Sequence, residues 1–181
     1  MPAKDVDQAP SGSMAHPGAA GGPAGPGGSV GQRGVAGGTE PSGEWGDRPV
    51  PVPDGSSAKY WAAAAAGEML LQACRSCGAY QFYPRLACRE CGGVPEWRKA
   101  SGRGIVHTFT VIHQNGSRAF RERVPYVVAM VELEEGPRMM SNVVDCLPEE
   151  VHIGMPVVVC FVTVEEGVAI PQFRPRPAVG G

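Results

Sequence analysis

Apolar and polar positions along this chain follow two regimes that meet near residue 54. Past that point, apolar residues come in strand-sized runs broken by turn residues. Tyr126–Leu133 reads as a strand closed by the turn Glu134-Glu135-Gly136-Pro137, and Met139–Val144 reads as the next. Val157–Val164 and Val168–Phe173 form a hairpin about Glu165-Glu166-Gly167. Trp97–Ser101 and Gly104–His113 read as one long strand, bent or bulged at Ser101-Gly102-Arg103-Gly104. Leu147–Pro156 is an irregular connector with a short helical turn at Pro148–Val151. Five short strands, a glycine-kinked first strand and a break between the third and fourth predict an OB-type barrel, although a small sandwich shows the same alternation.

Ahead of the barrel, Ser56-Ser57 is placed to cap a short helix through Tyr60, Trp61 and Ala62–Ala66, with Gly67 at its C-terminal end. Tyr60 and Trp61 are large anchors with few local partners. They pack on their own domain or fill a groove on another chain. Glu68–Ala73 leads onward as a strand.

Composition changes the picture mainly at the N-terminus. Residues 1–53 hold 13 of the 26 glycines and 9 of the 18 prolines, and Gly18–Gly38 contains only Val30 and Val35 as bulky apolar residues. Such a segment buries too little apolar surface to offset the entropy of ordering it, so residues 1–53 are expected to be disordered. Residues 54–96 then make a helix and metal module, 97–176 a barrel domain and 177–181 a flexible end. The tail carries three basic and five acidic residues, and the remainder thirteen of each. A neutral folded part argues against a protein whose main work is neutralising nucleic-acid phosphates. No apolar run resembles a signal peptide or is long enough to span a membrane, so a cytoplasmic protein is expected.

The strongest local motif is Cys74-Arg75-Ser76-Cys77, ten intervening residues, then Cys88-Arg89-Glu90-Cys91. Two CxxC knuckles place four thiolates around one zinc ion, and each is followed by a glycine, Gly78 or Gly92, where the chain must turn back with positive φ and aim N–H groups at the sulfurs. Arg75, Arg85 and Arg89 flank the knuckles and offset the charge of a four-thiolate centre. A redox CxxC would open a helix in a βαβ pattern, which neither pair does. Four thiolates leave no open coordination position, so the zinc is structural, and binding of this kind contributes about 10–16 kcal/mol apparent in small finger peptides. Cys146 and Cys160 stand alone and read as small hydrophobes rather than nucleophiles.

Between the first two barrel strands, His113 to Arg123 carries Arg118, Arg121 and Arg123 beside Phe120. With Arg98, Lys99 and Arg103, residues 98–126 hold six positive charges against one negative. In OB barrels this loop flanks the usual ligand face. His113, Arg118, Phe120, Arg121 and Arg123 suit a phosphate-bearing ligand with a stackable base, whether an oligonucleotide or the ADP part of coenzyme A. A solvated loop or a charged rim for a protein partner reads the same residues equally well. No nucleophile has a recognisable base nearby, and no phosphate-cradling glycine motif or paired catalytic acid stands out.

In order, Tyr60-Trp61, Gly67-Glu68, the two knuckles, Phe82-Tyr83-Pro84-Arg85, Trp97, Ser101-Gly102-x-Gly104, Phe109-Thr110-Val111, Pro125–Ala129, Ile153–Val157 and Pro171-x-Phe173-Arg174-Pro175 run as a set. Over Tyr60–Pro175 the chain resembles the zinc-ribbon/OB-fold proteins, long catalogued as a domain of unknown function, that accompany thiolase-superfamily enzymes. The resemblance implies a rubredoxin-like zinc ribbon followed by a five-stranded OB barrel. It implies a non-catalytic accessory subunit that docks on a thiolase-like acyltransferase, synthase or retro-aldolase and helps bind or channel acyl-CoA, as relatives do in lipid, steroid or polyketide metabolism. Tyr60, Trp61 and Phe173 are then the candidate partner contacts. A single-stranded nucleic-acid binder is the alternative, since ribbons and OB barrels also serve that role. A free-standing acyl-CoA hydrolase or lyase would need a catalytic constellation that the sequence lacks.

Overall fold

A computed structural model of the chain describes residues 47–177, so the expected disorder of residues 1–46 and 178–181 lies outside the described residues. Within the stretch expected to be tail, Arg48 is 5% exposed and buried.

The helix, α1, spans Ala58–Ala65. Ser57 is its N-cap residue, as expected, but its side chain makes no capping bond; the hydrogen bonds of this end centre on Asp54. The Asp54 Oδ1 accepts the backbone N–H groups of Ser56 and Ser57 and the Ser57 hydroxyl at 3.0, 2.8 and 2.7 Å. The Asp54 carbonyl accepts the N–H of Ala58 at 2.7 Å. At the other end Glu68 N–H reaches the Ala63 carbonyl and Gly67 N–H that of Ala64, a Schellman pair with Gly67 at φ 76°. Tyr60 and Ala64, one turn apart, form the buried face, and the helix packs on the last barrel strand.

Three strands make the ribbon: β1 (Leu70–Cys74), β2 (Tyr80–Gln81) and β3 (Pro95–Lys99), in the order β2-β1-β3, both pairings antiparallel. The barrel uses β4 (Arg103–Ile112), β5 (Tyr126–Leu133), β6 (Arg138–Val143), β7 (Pro156–Glu165) and β8 (Val168–Pro175). They close in the order β4-β5-β6-β8-β7, with a 3-10 turn at Pro148–Glu150 before β7. The chain is thus mainly β, a zinc ribbon with a short helix and a closed five-stranded OB barrel.

The long strand expected from Trp97 to His113 is two strands in two sheets. β3 completes the ribbon and β4 opens the barrel, with Ala100–Gly102 between them. Gly102 sits at φ 70°, and a Cβ there would lie 2.5 Å from Cγ1 of Val159, so only glycine lets the joint press against β7. Backbone bonds lock it: Ala100 N–H to the Met69 carbonyl at 2.8 Å and Val159 N–H to the Gly102 carbonyl at 2.7 Å. Glu135, in the β5–β6 turn, accepts Ser101 N–H at 2.6 Å. The bulge of the first barrel strand falls further along, at His107, where the β4–β5 register shifts between Val106 and Thr108.

β5 alternates half-buried and buried residues without a break, which is what one face on a core requires. Val106, Val127, Val131, Val157 and Phe173 fill the interior at 2% exposure or less, and Met69 and Leu71 of the ribbon side join the same core. Phe173 is at 0% exposure inside the barrel and so offers no surface to a partner, which removes it from the candidate contacts. Tyr60 is corrected for the same reason: at 3% exposure its ring belongs to this fold's own packing, and that burial drives its hydroxyl pKa upward.

Candidate metal centre and binding groove

Both knuckles are tight turns. The N–H of Gly78 bonds the Cys74 carbonyl and that of Gly92 the Cys88 carbonyl, each at 2.9 Å, and both glycines sit at φ 73°. Donors aimed at sulfur include two from inside the knuckles, Ser76 N–H to Cys74 Sγ and Glu90 N–H to Cys88 Sγ, each at 3.4 Å. All four sulfurs lie within 4.8 Å of one another, with Cys74 and Cys91 at 3.5 Å and Cys77 and Cys88 at 3.8 Å. Four sulfurs bound tetrahedrally at about 2.3 Å stand about 3.8 Å apart, so these residues fit zinc. Gly93 borders the site closely, since a Cβ there would meet Ser76 Oγ at 2.7 Å and Cys74 Sγ at 3.0 Å.

The electrostatics agree. Backbone N–H donation, from Cys77 first, draws the Cys74 thiol down to about 6 against the opposing pull of desolvation. Cys91 receives a similar pull from Gly93, yet the neighbouring sulfurs, Cys77 foremost, push it up to about 12. Four thiolates at this spacing need a dication among them, and zinc supplies it; the site is structural because the sulfurs occupy all four positions. The flanking arginines contribute less than their number suggests. Arg75 pairs with Glu96 at 2.9 Å and Arg89 with Glu90 at 3.0 Å, while Arg85 makes no ion pair among the described residues.

Two buried glutamines, which the sequence reading missed, hold the loop between the knuckles. Gln81 Nε2 donates to Gln72 Oε1 at 2.8 Å. Gln72 Oε1 also accepts Arg85 N–H at 2.8 Å, and Gln81 Oε1 accepts Arg89 N–H at 3.1 Å. This clamp spans Leu86, which is 90% exposed, so an apolar side chain stands out on a fixed loop. The signal available was a polar residue at a buried-strand position on each side of one hairpin.

The six expected cations do not gather. Arg98 pairs with Glu96 at 2.6 Å, Lys99 with Glu68 at 2.7 Å and Arg103 with Glu134 at 2.8 Å, all away from the loop. The loop itself turns at Ser117, whose carbonyl accepts the N–H groups of Phe120 and Arg121 at 3.1 and 2.9 Å. Phe120 is half-buried against Tyr126, ring centres 6.1 Å apart, while Arg118 and Arg121 stay exposed. His113 is exposed and Arg123 half-buried.

Phe120 faces an apolar groove of about 480 Å³ between the helix, the ribbon and the barrel. One wall is an aromatic chain: Trp61 meets Tyr60 at 5.0 Å, Tyr60 meets Phe82 at 5.7 Å and Phe82 meets Tyr83 at 5.5 Å. The facing wall has Met139, Met140 and Ile170, where β6 and β8 separate after their single pairing at Val143 and Phe173. Of the candidate ligand residues only Phe120 lines this groove, and of the candidate partner contacts Tyr60 and Trp61 do.

Desolvation first raises the thiols of the other two cysteines, Cys146 and Cys160, the latter to about 11. Among the described residues no helix is long and apolar enough to cross a membrane.

A metal-stapled ribbon set on a closed five-stranded barrel is a two-module zinc-ribbon and OB-fold architecture. Residues 61–97 match the family described as ChsH2, rubredoxin-like zinc ribbon domain, and residues 97–162 match ChsH2, C-terminal OB-fold domain. A DUF35 domain-containing scaffold protein of Methanothermobacter thermautotrophicus is 41% identical over 110 residues, 58% of this chain and 82% of that protein. The chain belongs to the DUF35 family of zinc-ribbon/OB-fold proteins. A probable enoyl-CoA hydratase alpha subunit of Thermomonospora curvata is 35% identical over 130 residues, 71% of this chain, which spans only 40% of that longer relative. Among solved structures, a chain of the Ltp2-ChsH2(DUF35) aldolase superimposes with a TM-score of 0.62 at 34% identity, over 69% of this chain and 98% of that one.

Proposed function

We propose that this chain is a non-catalytic accessory subunit that docks on a thiolase-superfamily enzyme and helps bind or channel acyl-CoA. The observation that carries the reading is the likeness, over 98% of its length, to a chain of the Ltp2-ChsH2(DUF35) aldolase. The subunit name of the Thermomonospora relative points the same way, toward acyl-CoA chemistry shared between chains. Geometry supports a non-catalytic part. The zinc sulfurs leave no position for substrate, and Cys146 and Cys160 have raised thiol pKa values. Zinc holds the ribbon, the exposed Leu86 and Tyr83 give it apolar contacts to offer, and the groove and loop meet the acyl-CoA.

Single-stranded nucleic acid has less to hold, because Arg98, Lys99 and Arg103 are already ion-paired. Co-expression with a thiolase homologue from the same genome, followed by size-exclusion chromatography, tests the proposal. A stable hetero-oligomer supports it. A chain that neither co-elutes with any such enzyme nor binds CoA overturns it.

A further inference from the structure

The two knuckles divide their sulfurs by accessibility. Cys74 and Cys88 are buried, while Cys77 and Cys91, the last residue of each knuckle, are exposed. Each exposed residue sets its sulfur against a buried one of the opposite knuckle. Cys91 Sγ is 3.5 Å from Cys74 Sγ, and Cys77 Sγ is 3.8 Å from Cys88 Sγ. A thiolate that solvent reaches, with a second sulfur beside it, is the arrangement in which oxidation runs on to a disulfide.

The ribbon's outer loop hangs from the same second knuckle. Arg89 lies between Cys88 and Cys91, and its N–H donates to Gln81 Oε1 at 3.1 Å. Gln81 Nε2 donates to Gln72 Oε1 at 2.8 Å, and that oxygen also accepts the Arg85 N–H at 2.8 Å, beside the exposed Leu86. A disulfide holds its sulfurs about 2.05 Å apart, so joining Cys91 to Cys74 closes their gap by about 1.5 Å. The second knuckle shifts toward β1 to allow this, and the Arg89–Gln81 bond lies on the shifting segment.

We infer that the four-sulfur centre is a peroxide-operated release, in which oxidation joins Cys91 to Cys74, frees the metal and loosens the Arg85–Leu86 loop. The Cys91 thiolate attacks one peroxide oxygen, the O–O bond breaks, and hydroxide departs to leave a sulfenic acid on Cys91. The Cys74 thiolate then attacks the Cys91 sulfur, the S–O bond breaks, and a second hydroxide departs. Two thiolates lose two electrons and the peroxide gains them. Cys77 and Cys88 alone do not complete a four-sulfur site, so zinc leaves. A dithiol reductant with zinc reverses the change, because no sulfur has passed the disulfide stage. On the proposed function, on which only this consequence rests, the oxidised chain loses the fixed ribbon face that it offers to an enzyme.

The test treats the full-length, zinc-loaded chain with hydrogen peroxide, reads released zinc with a chromophoric chelator and maps disulfides by peptide mass spectrometry. Zinc is expected to leave in step with a Cys74–Cys91 bond and to be taken up again with dithiothreitol and added zinc. Amide exchange at Arg85 and Arg89 should rise by about tenfold or more while the β5 amides stay unchanged. Cys91→His keeps four ligands of kinds that zinc accepts and removes the attacked sulfur, so release should slow by about tenfold or more. Where that variant does not hold zinc, the wild-type disulfide map decides. The double variant Cys146→Ser, Cys160→Ser, outside the centre, should release zinc as fast as the wild-type chain. Zinc retained at peroxide concentrations that oxidise Cys146 overturns the inference. A first disulfide within one knuckle or to Cys160 does the same, as does irreversible sulfinic acid in its place. Zinc release with Arg85 and Arg89 still protected refutes the coupling to the loop. Co-elution of the reduced chain with a thiolase homologue is scored separately, and its failure defeats the proposed function while the release stands on the zinc and disulfide readouts.

Discussion

The ribbon and the barrel solve the same problem, holding short strands together, by different means. The barrel distributes its stability over a continuous core in which Val106, Val131, Val157 and Phe173 are fully buried. The ribbon has β1 as its one well-buried strand and rests on point fixtures: four sulfurs and the Gln72–Gln81 clamp. Distributed cores fail gradually under substitution, whereas point fixtures fail at once. The ribbon's loops are consequently set without depending on bulk burial, which leaves Leu86, Val94 and Tyr83 free to be exposed.

Metal removal should separate the regions most sharply. Chelation, or Cys88→Ser, is expected to unfold the ribbon and abolish partner binding while the β5–β6 amides of the barrel stay protected from hydrogen exchange. Retention of zinc and assembly by the Cys88→Ser protein would refute the four-sulfur centre. Next in size, Phe173→Ala should cost about 3–5 kcal/mol in denaturant unfolding and leave zinc stoichiometry unchanged. A proportional loss of zinc would show the two regions to be one cooperative unit. Gln81→Leu should cost about 1–3 kcal/mol through the unpaired groups it leaves, read as faster exchange at Arg89 N–H. The smallest effect concerns the helix cap. Hydrogen bonds, from the Ser57 hydroxyl first, hold the Asp54 carboxyl at about 2. A depressed carboxylate stabilises above its ordinary titration range and loses that contribution as pH falls toward 2, so the amide shifts of Ser57 and Ala58 should titrate there.

Much of the architecture was legible because it is local. The knuckle spacing specifies the metal, and Tyr126–Leu133 is a strand residue for residue because its alternation is unbroken. The turns at Gly136 and Gly167 take the positive φ that their neighbours require. What the sequence hid was non-local. The joint between β3 and β4 looks like a strand because both sides are strand, and only the pairing partners tell the sheets apart. The groove collects residues from five separated segments, so no window contains it. Phe173 read as a candidate partner contact within the Pro171–Pro175 motif, yet its partners Val159 and Val143 lie on two other strands that enclose it. Arg98, Lys99 and Arg103 looked like a patch in a count of charge, but Lys99 and Arg103 meet glutamates distant in sequence, Glu68 and Glu134, and Arg98 meets Glu96 on its own strand.

The Ala100–Gly102 joint has a mechanical meaning. Gly102 leaves no room for a side chain against Val159, and backbone bonds grip the segment from both sheets. A segment wedged and pinned in this way transmits torque instead of absorbing it. On the proposed function, a partner enzyme that docks on the ribbon would thereby also aim the barrel and set the angle at which the groove faces its surface.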